Sequence, residues 1–242
     1  MGNRVTIAPA GGRVLAAAVL IWSIACRESG NSSRPASSTD APAFAAKDSG
    51  ALKAEAPSAR PVVVNGIDLS RVGYDKGSPL ATIVIVEFSD FGCPYCAEFA
   101  RQTFPAIDSE FVRPGKVYFK YVPFVIGMFP NALEAARASE CAGEQSRFWE
   151  MYEQLFSSQG EWKRERSPDA LFARYAAVAG LDKPAFATCY ARAKTHPATA
   201  RANDAAAKLG VRVTPSFIVN GRPVEGALPL ADFRRLLTNP AR

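Results

Sequence analysis

Two cysteines separated by Pro94-Tyr95 stand between segments of opposite periodicity. Before them runs Ala81-Thr82-Ile83-Val84-Ile85-Val86-Glu87-Phe88, short, apolar and β-branched, which reads as a buried strand. After them, Ala97-Glu98-Phe99-Ala100-Arg101-Gln102-Thr103-Phe104 places apolar residues at helical spacing. Pro94 suits a first helical turn, where its missing N–H is no loss. The Cys93 sulfur then lies where free N–H groups and the helix dipole favour negative charge. A thiolate formed readily at neutral pH, and able to leave again, is what thiol–disulfide exchange requires. Two intervening residues around a helix start also bring both sulfurs within disulfide reach.

Strand, Cys-x-x-Cys, helix is a redox arrangement of the thioredoxin fold. Alone it is weak, because half a zinc site or a chance pair looks the same. Proline between the cysteines, the strand–helix context, and Val213-Thr214-Pro215 before a second apolar run strengthen it. With Val86-Glu87-Phe88-Ser89-Asp90-Phe91-Gly92-Cys93-Pro94-Tyr95-Cys96, Phe148-Trp149-Glu150-Met151-Tyr152 and Val213-Thr214-Pro215-Ser216-Phe217-Ile218-Val219-Asn220-Gly221, the sequence resembles the DsbA-like thiol–disulfide oxidoreductases over about residues 61–239. The resemblance implies an α/β thioredoxin-like fold with a central mixed sheet and an inserted all-helical subdomain at about 130–209. It implies an extracytoplasmic enzyme that exchanges disulfides with cysteine-containing secreted or envelope proteins. A membrane or soluble partner would regenerate it, with no cofactor and no metal. A non-catalytic thioredoxin-like binding module or chaperone is the competing reading.

The chain of 242 residues is 48% hydrophobic, enough for one sizeable core. Its formal charge of +6 fits solubility and weak attraction to acidic surfaces, not a nucleic-acid footprint. Arg4 and Arg13 precede an uncharged apolar run, Val14 to Ile24, too short for a comfortable membrane span. Residues 1–25 therefore read as a signal segment. Ser23-Ile24-Ala25-Cys26 resembles a bacterial lipobox, with Ser23 departing from the usual Leu. Lipidation at Cys26, ordinary signal cleavage and an uncleaved anchor all place the domain outside the cytoplasm, in the periplasm or its equivalent. Residues 26–60, rich in Ala, Ser and Pro, read as a disordered tether spanning on the order of 30 Å.

Along the domain, Pro61 to Val64 reads as an edge strand and Asn65-Gly66 as a turn. The polar stretch to Pro79 leads into the strand at 81–88. A helix runs from Pro94 to about Phe111, bent near Pro105, and Lys116 to Phe124 forms the next strand. Four or five helices follow to Leu209, one of them opened by Ser167 as cap and Pro168 as first residue. Lys163-Arg164-Glu165-Arg166 reads as a solvated loop. Asn220-Gly221 signals a hairpin whose returning strand carries Pro223 and so belongs at an edge, and Leu230 to Leu237 closes the chain as a helix.

Cys93 is the candidate nucleophile, an exposed sulfur, and Cys96 the more buried resolving thiol. The family has an acid where Glu87 stands, on the strand face shared with residues 83 and 85, and a carboxylate buried there could hold the Cys96 proton. Pro215 matches the family's cis-proline, beside the redox disulfide. Thr214, Pro215, Pro94 and Tyr95 are the candidate substrate contacts, with Thr214 offering backbone to an extended strand. Direction stays open: Pro94-Tyr95 lacks the histidine of strongly oxidising members, and Thr214 resembles isomerases and reductases. With Cys26 set aside, four cysteines allow three pairings, and the motif favours Cys93–Cys96 with Cys141–Cys189. That second pair reads as a structural staple, with a second redox pair or free thiols as alternatives. His196, the one histidine, reads as a surface or capping residue.

Overall fold

A computed structural model describes residues 60–192 and 197–238. The expected signal segment, Cys26, the tether up to residue 59 and His196 lie outside the described residues. Among the described residues, strands β3 (Tyr74–Gly77), β4 (Ile83–Ser89), β5 (Val117–Pro123), β6 (Ser216–Val219) and β7 (Arg222–Glu225) form one mixed sheet in the order β3-β5-β4-β6-β7. β4 pairs parallel to β5 and antiparallel to β6, while β3 and β7 join antiparallel at the two edges. Pro223 does lie on an edge strand, where its missing N–H is tolerated. Asn220 and Gly221 turn the hairpin with φ of 47° and 85°, the positive values a tight two-residue loop demands.

The sheet is buried on both faces, which accounts for the unbroken apolar run of β4. Ile83 and Ile85 pack into the cluster that holds Cys93 and Cys96, whereas Val86 and Phe88 point into a second cluster. Two short α-helical stretches, α1 (Pro94–Glu98) and α2 (Phe104–Ile107), are joined and extended by π-helical segments Phe99–Thr103 and Asp108–Val112. Pro105 supplies no N–H, and in the turn before it Phe104 donates to Phe99 O, a shift of register by one residue. The helical run therefore continues through the proline to Val112.

Among the described residues, six helices lie in the insertion between β5 and β6: α3 (Ala132–Gly143), α4 (Phe148–Ser157), α5 (Gln159–Trp162), α6 (Asp169–Val178), α7 (Lys183–Arg192) and α8 (Pro197–Lys208). Residues from α3 to α7 pack into the cluster containing the cysteines. Ala202, Ala205 and Ala206 of α8 cover the opposite sheet face. Helix α9 (Leu230–Thr238) follows β7, and its Phe233 packs on Phe99 and Phe217.

Several expectations are corrected. Val63–Val64 (β1) is not an edge of the main sheet; it pairs with Ile67–Asp68 (β2) in a separate hairpin. The polar stretch before Pro79 contains β3, whose Tyr-Asp-Lys-Gly sequence carries no apolar alternation because it is a half-buried edge. Helix α6 opens at Asp169, one residue later than expected, and no side chain caps it. The one-turn helix α5, too short for a periodic signal, was not anticipated.

Candidate active site

The parallel β4 ends at Ser89, and the chain then turns through Asp90-Phe91-Gly92 into α1. The turn is held by Asp90, whose Oδ1 accepts from Gly92 N at 2.8 Å and Oδ2 from Ile126 N at 3.0 Å. A Cβ on Gly92 would lie 2.3 Å from Phe129 Cβ, so only glycine lets the start of the helical insertion approach this closely. Cys93 has extended backbone immediately before Pro94 at the helix start.

Cys93 is 2% exposed, not the open sulfur expected from the sequence. The cover comes from the segment before β6: Cys93 Sγ donates to Thr214 O at 3.3 Å. The Thr214–Pro215 peptide is cis. Both active-site sulfurs are free thiols in this structure. Hydrogen bonding from Cys96 lowers the Cys93 pKa to about 6; burial opposes this, while Thr214 and the backbone N–H groups of Cys96 and Tyr95 add to it. Burial pushes Cys96 the other way, well above the ordinary thiol value, with the neighbouring Cys93 and Glu87 adding to the rise.

Glu87 is fully buried on β4, facing the same cluster as the cysteines. Among the described residues neither carboxyl oxygen meets hydrogen-bond geometry, although Ser89 lies close enough to act on it. Burial lifts its pKa to about 8, opposed by Ser89. Tyr121, its cross-strand neighbour on β5, and Tyr152 of α4 are also fully buried, and both hydroxyls are held neutral by burial and by Glu87. Asp90 is buried too, and burial raises its pKa to about 6 against its two backbone donors. A buried carboxylic acid with a raised pKa can deliver a proton at neutral pH; Glu87 is close enough to Cys96 to act on its thiol electrostatically.

The structure thus brings Cys93, Cys96, Glu87, Thr214 and Pro215 together, with Pro94 exposed and Tyr95 63% exposed beside them. Cys141 and Cys189 stand elsewhere in role: they form a disulfide joining α3 to α7, with Cα atoms 5.7 Å apart. Sequence reasoning passed over three residues at the site. Asp90 was not singled out, although its carboxylate organises the turn before Cys93. Gln159 sits in the unanticipated α5. Lys163, assigned to a solvated loop, donates to Gly92 O and lies over the Phe129 ring. The basic run gave no signal for this, because a lysine's contacts depend on where its helix docks.

The family model described as Thioredoxin matches residues 73–239. Among curated proteins the chain is 33% identical over 170 residues to "Na(+)/H(+) antiporter NhaA 1" of Mycolicibacterium gilvum, covering 67% of this chain but 25% of that protein. The chain spans only about a quarter of the length of the antiporters it matches first. It is also 27% identical over 174 residues to "Disulfide bond formation protein D" of Bacillus subtilis, covering 65% of this chain and 73% of that one. Among solved structures, oxidised BdbD from Bacillus subtilis superposes with a TM-score of 0.64 at 22% identity, over 75% of this chain and 96% of the other. That likeness bears on the fold.

Proposed function

The chain belongs to the thioredoxin family, within its DsbA-like disulfide oxidoreductases, and from that premise we propose that it exchanges disulfides with cysteine-containing secreted or envelope proteins through Cys93. The observation that carries this reading is the opposed pair of thiols. Cys93 is brought down to about 6 while Cys96, three residues away at the helix start, is pushed up. Such asymmetry makes one sulfur the attacking and leaving group and keeps the other protonated until it is needed.

In the oxidising direction a substrate thiolate attacks Cys93 Sγ of the Cys93–Cys96 disulfide. The S–S bond breaks, Cys96 leaves with the electron pair, and Glu87 supplies its proton. A second substrate thiolate then attacks the substrate sulfur of the mixed disulfide and releases Cys93 as thiolate. The substrate leaves oxidised by two electrons and the enzyme is left as the dithiol. Reduction of a substrate is the same sequence reversed. Exposed Tyr95 and Val213 flank Cys93 and Thr214, and together with Pro94 and Pro215 they fit an extended, partly apolar substrate segment. A Cys93 pKa of about 6 lies between about 7 for thioredoxin and about 3.5 for a strong oxidant.

We assign the work to the extracytoplasmic side, where disulfides persist, with a regenerating redox partner there and attachment through Cys26 when that residue is lipidated. Mass measurement of the mature N-terminus tests the anchor: diacylglycerol on Cys26 supports it, and its absence removes it. The exchange itself is tested by trapping. A Cys96→Ala chain should accumulate mixed disulfides with client proteins through Cys93. The near-complete burial of Cys93 is also what a binding module with a merely structural pair would have, and total absence of trapped clients would hand the protein to that reading.

A further inference from the structure

The three carbonyls around the nucleophile all point to donors from one place in the helical insertion. Gln159 Nε2 donates to Phe91 O at 2.6 Å and to Cys93 O at 2.8 Å. Lys163 Nζ donates to Gly92 O at 2.5 Å. Gln159 is 7% exposed and opens α5, and Lys163 directly follows that helix. The placement of α5 is itself over-determined. Trp162 is fully buried, its indole N–H donating to Leu155 O at 2.8 Å, and Asn131 Nδ2 donates to Trp162 O at 2.8 Å.

We propose that Gln159, with Lys163, is a positioning residue for the redox reaction: a clamp from the insertion that fixes the Phe91-Gly92-Cys93 backbone and favours the Cys93 thiolate. The reading rests on the exchange chemistry assigned to Cys93. A primary amide carries two N–H donors and no charge, so one side chain can serve two carbonyls without adding an ion. Cys93 O already accepts from Ala97 N at 3.1 Å as the first bond of the helix. Gln159 takes up its remaining acceptor capacity. Carbonyl oxygens carry partial negative charge, and an unpaired buried one beside a thiolate both loses its own solvation and repels the sulfur. Donors that hold these oxygens away from Cys93 Sγ relieve that repulsion. They also keep the N–H groups of Tyr95 and Cys96 aimed at the sulfur, which favours the thiolate. Lys163 adds a positive charge behind Gly92, and the same charge favours ionised Asp90. Gln159 and Lys163 therefore act on Cys93 through the backbone.

The test compares Gln159→Leu, Gln159→Glu and Lys163→Met in the full chain. Thiolate absorbance against pH gives the Cys93 pKa, equilibrium with glutathione gives the redox constant, and thermal unfolding is recorded beside both. Gln159→Leu should raise the Cys93 pKa by about one unit, which at pH 7 lowers the thiolate-linked stabilisation of the dithiol about fivefold and shifts the glutathione equilibrium by the same factor toward the disulfide. Gln159→Glu, nearly the same shape, should raise it further, because a carboxylate would face two carbonyls. A role in packing alone gives lower thermal stability with the Cys93 pKa unchanged in both variants, and that result overturns the proposal. Should the Gln159 variants fail to fold, Lys163→Met decides it: a raised Cys93 pKa supports the clamp and an unchanged one overturns it. The two readings fail separately. If wild-type chain does not exchange with glutathione, the assigned function falls while the thiolate titration still judges the clamp.

Discussion

Cys93 and Cys96 lie three positions apart in sequence as free thiols, whereas Cys141 and Cys189 are 48 positions apart and bonded. Both pairs are buried in the same core cluster, so burial does not separate them. Their neighbours do. The first pair shares its surroundings with two buried acids, Glu87 and Asp90, a helix start and the Thr214 carbonyl, and its two sulfurs are driven to opposite protonation preferences. The second pair is flanked by buried Ala138, Ala142, Phe186 and Tyr190 on two helices. Neighbours that drive two sulfurs to opposite protonation preferences give the pair a direction of attack; Cys141 and Cys189, bonded across two helices, serve as a crosslink.

The comparison breaks most completely at the nucleophile. Cys93→Ser should abolish exchange with glutathione disulfide, while the Cys141→Ser/Cys189→Ser double variant should keep it; the reverse pattern, seen in a gel-shift or mass assay, would swap the two roles.

The next effect comes from the acid that the redox pair shares its pocket with. Folded Glu87 keeps its proton to about pH 8, against 4.5 for the ordinary carboxyl. Between those values the folded state binds the extra proton, so stability falls as pH rises across this window, by up to about 5 kcal/mol. Glu87→Gln should flatten that fall. Urea unfolding at pH 5 and pH 9 measures it, and equal slopes in the two proteins would show that Glu87 is not buried as an acid.

Removing the staple should matter to stability alone. Opening a loop of 48 residues by the double Ser variant should lose roughly 2–4 kcal/mol, seen as a lower melting temperature with the glutathione equilibrium of Cys93 unmoved. A change in that equilibrium would mean that the two pairs communicate.

The smallest effect is expected at Asp90. Asp90→Asn retains an acceptor for Gly92 but removes a negative charge that disfavours the Cys93 thiolate. The Cys93 pKa should fall, by less than about one unit, or 1.4 kcal/mol. A rise would show that the loop geometry, which the carboxylate holds through two backbone donors, outweighs its charge.

Much of the redox pair was legible in the linear chain because its signals are local. The strand run, Pro94 after Cys93 and the helix-period residues lie within about 25 positions of one another. Thr214 and Pro215 were located only through the resemblance, since nothing in residues 212–215 says which loop they will touch. Three features escaped. β3 is a polar edge, α5 is a single turn, and Asp90 has the composition of any loop acid. In each case burial, not residue pattern, makes the structure.

The sequence alone determined the succession β4, α1, β5, helical insertion, β6, β7 and α9, the two apolar faces of β4, the edge position of Pro223 and the site of the reactive cysteines, because each follows from periodicity, turn chemistry or covalent spacing over short distances. Tertiary structure alone decided that Thr214 would cover Cys93, that Glu87 would be fully buried, that the favoured one of three cysteine pairings, Cys141–Cys189, would form, and that Gln159 and Lys163 would reach the Phe91-Gly92-Cys93 carbonyls. Those contacts join residues from 48 to 121 positions apart. Proton affinity and hydrogen bonding depend on local solvation and distance, and both are set only when the insertion packs onto the sheet.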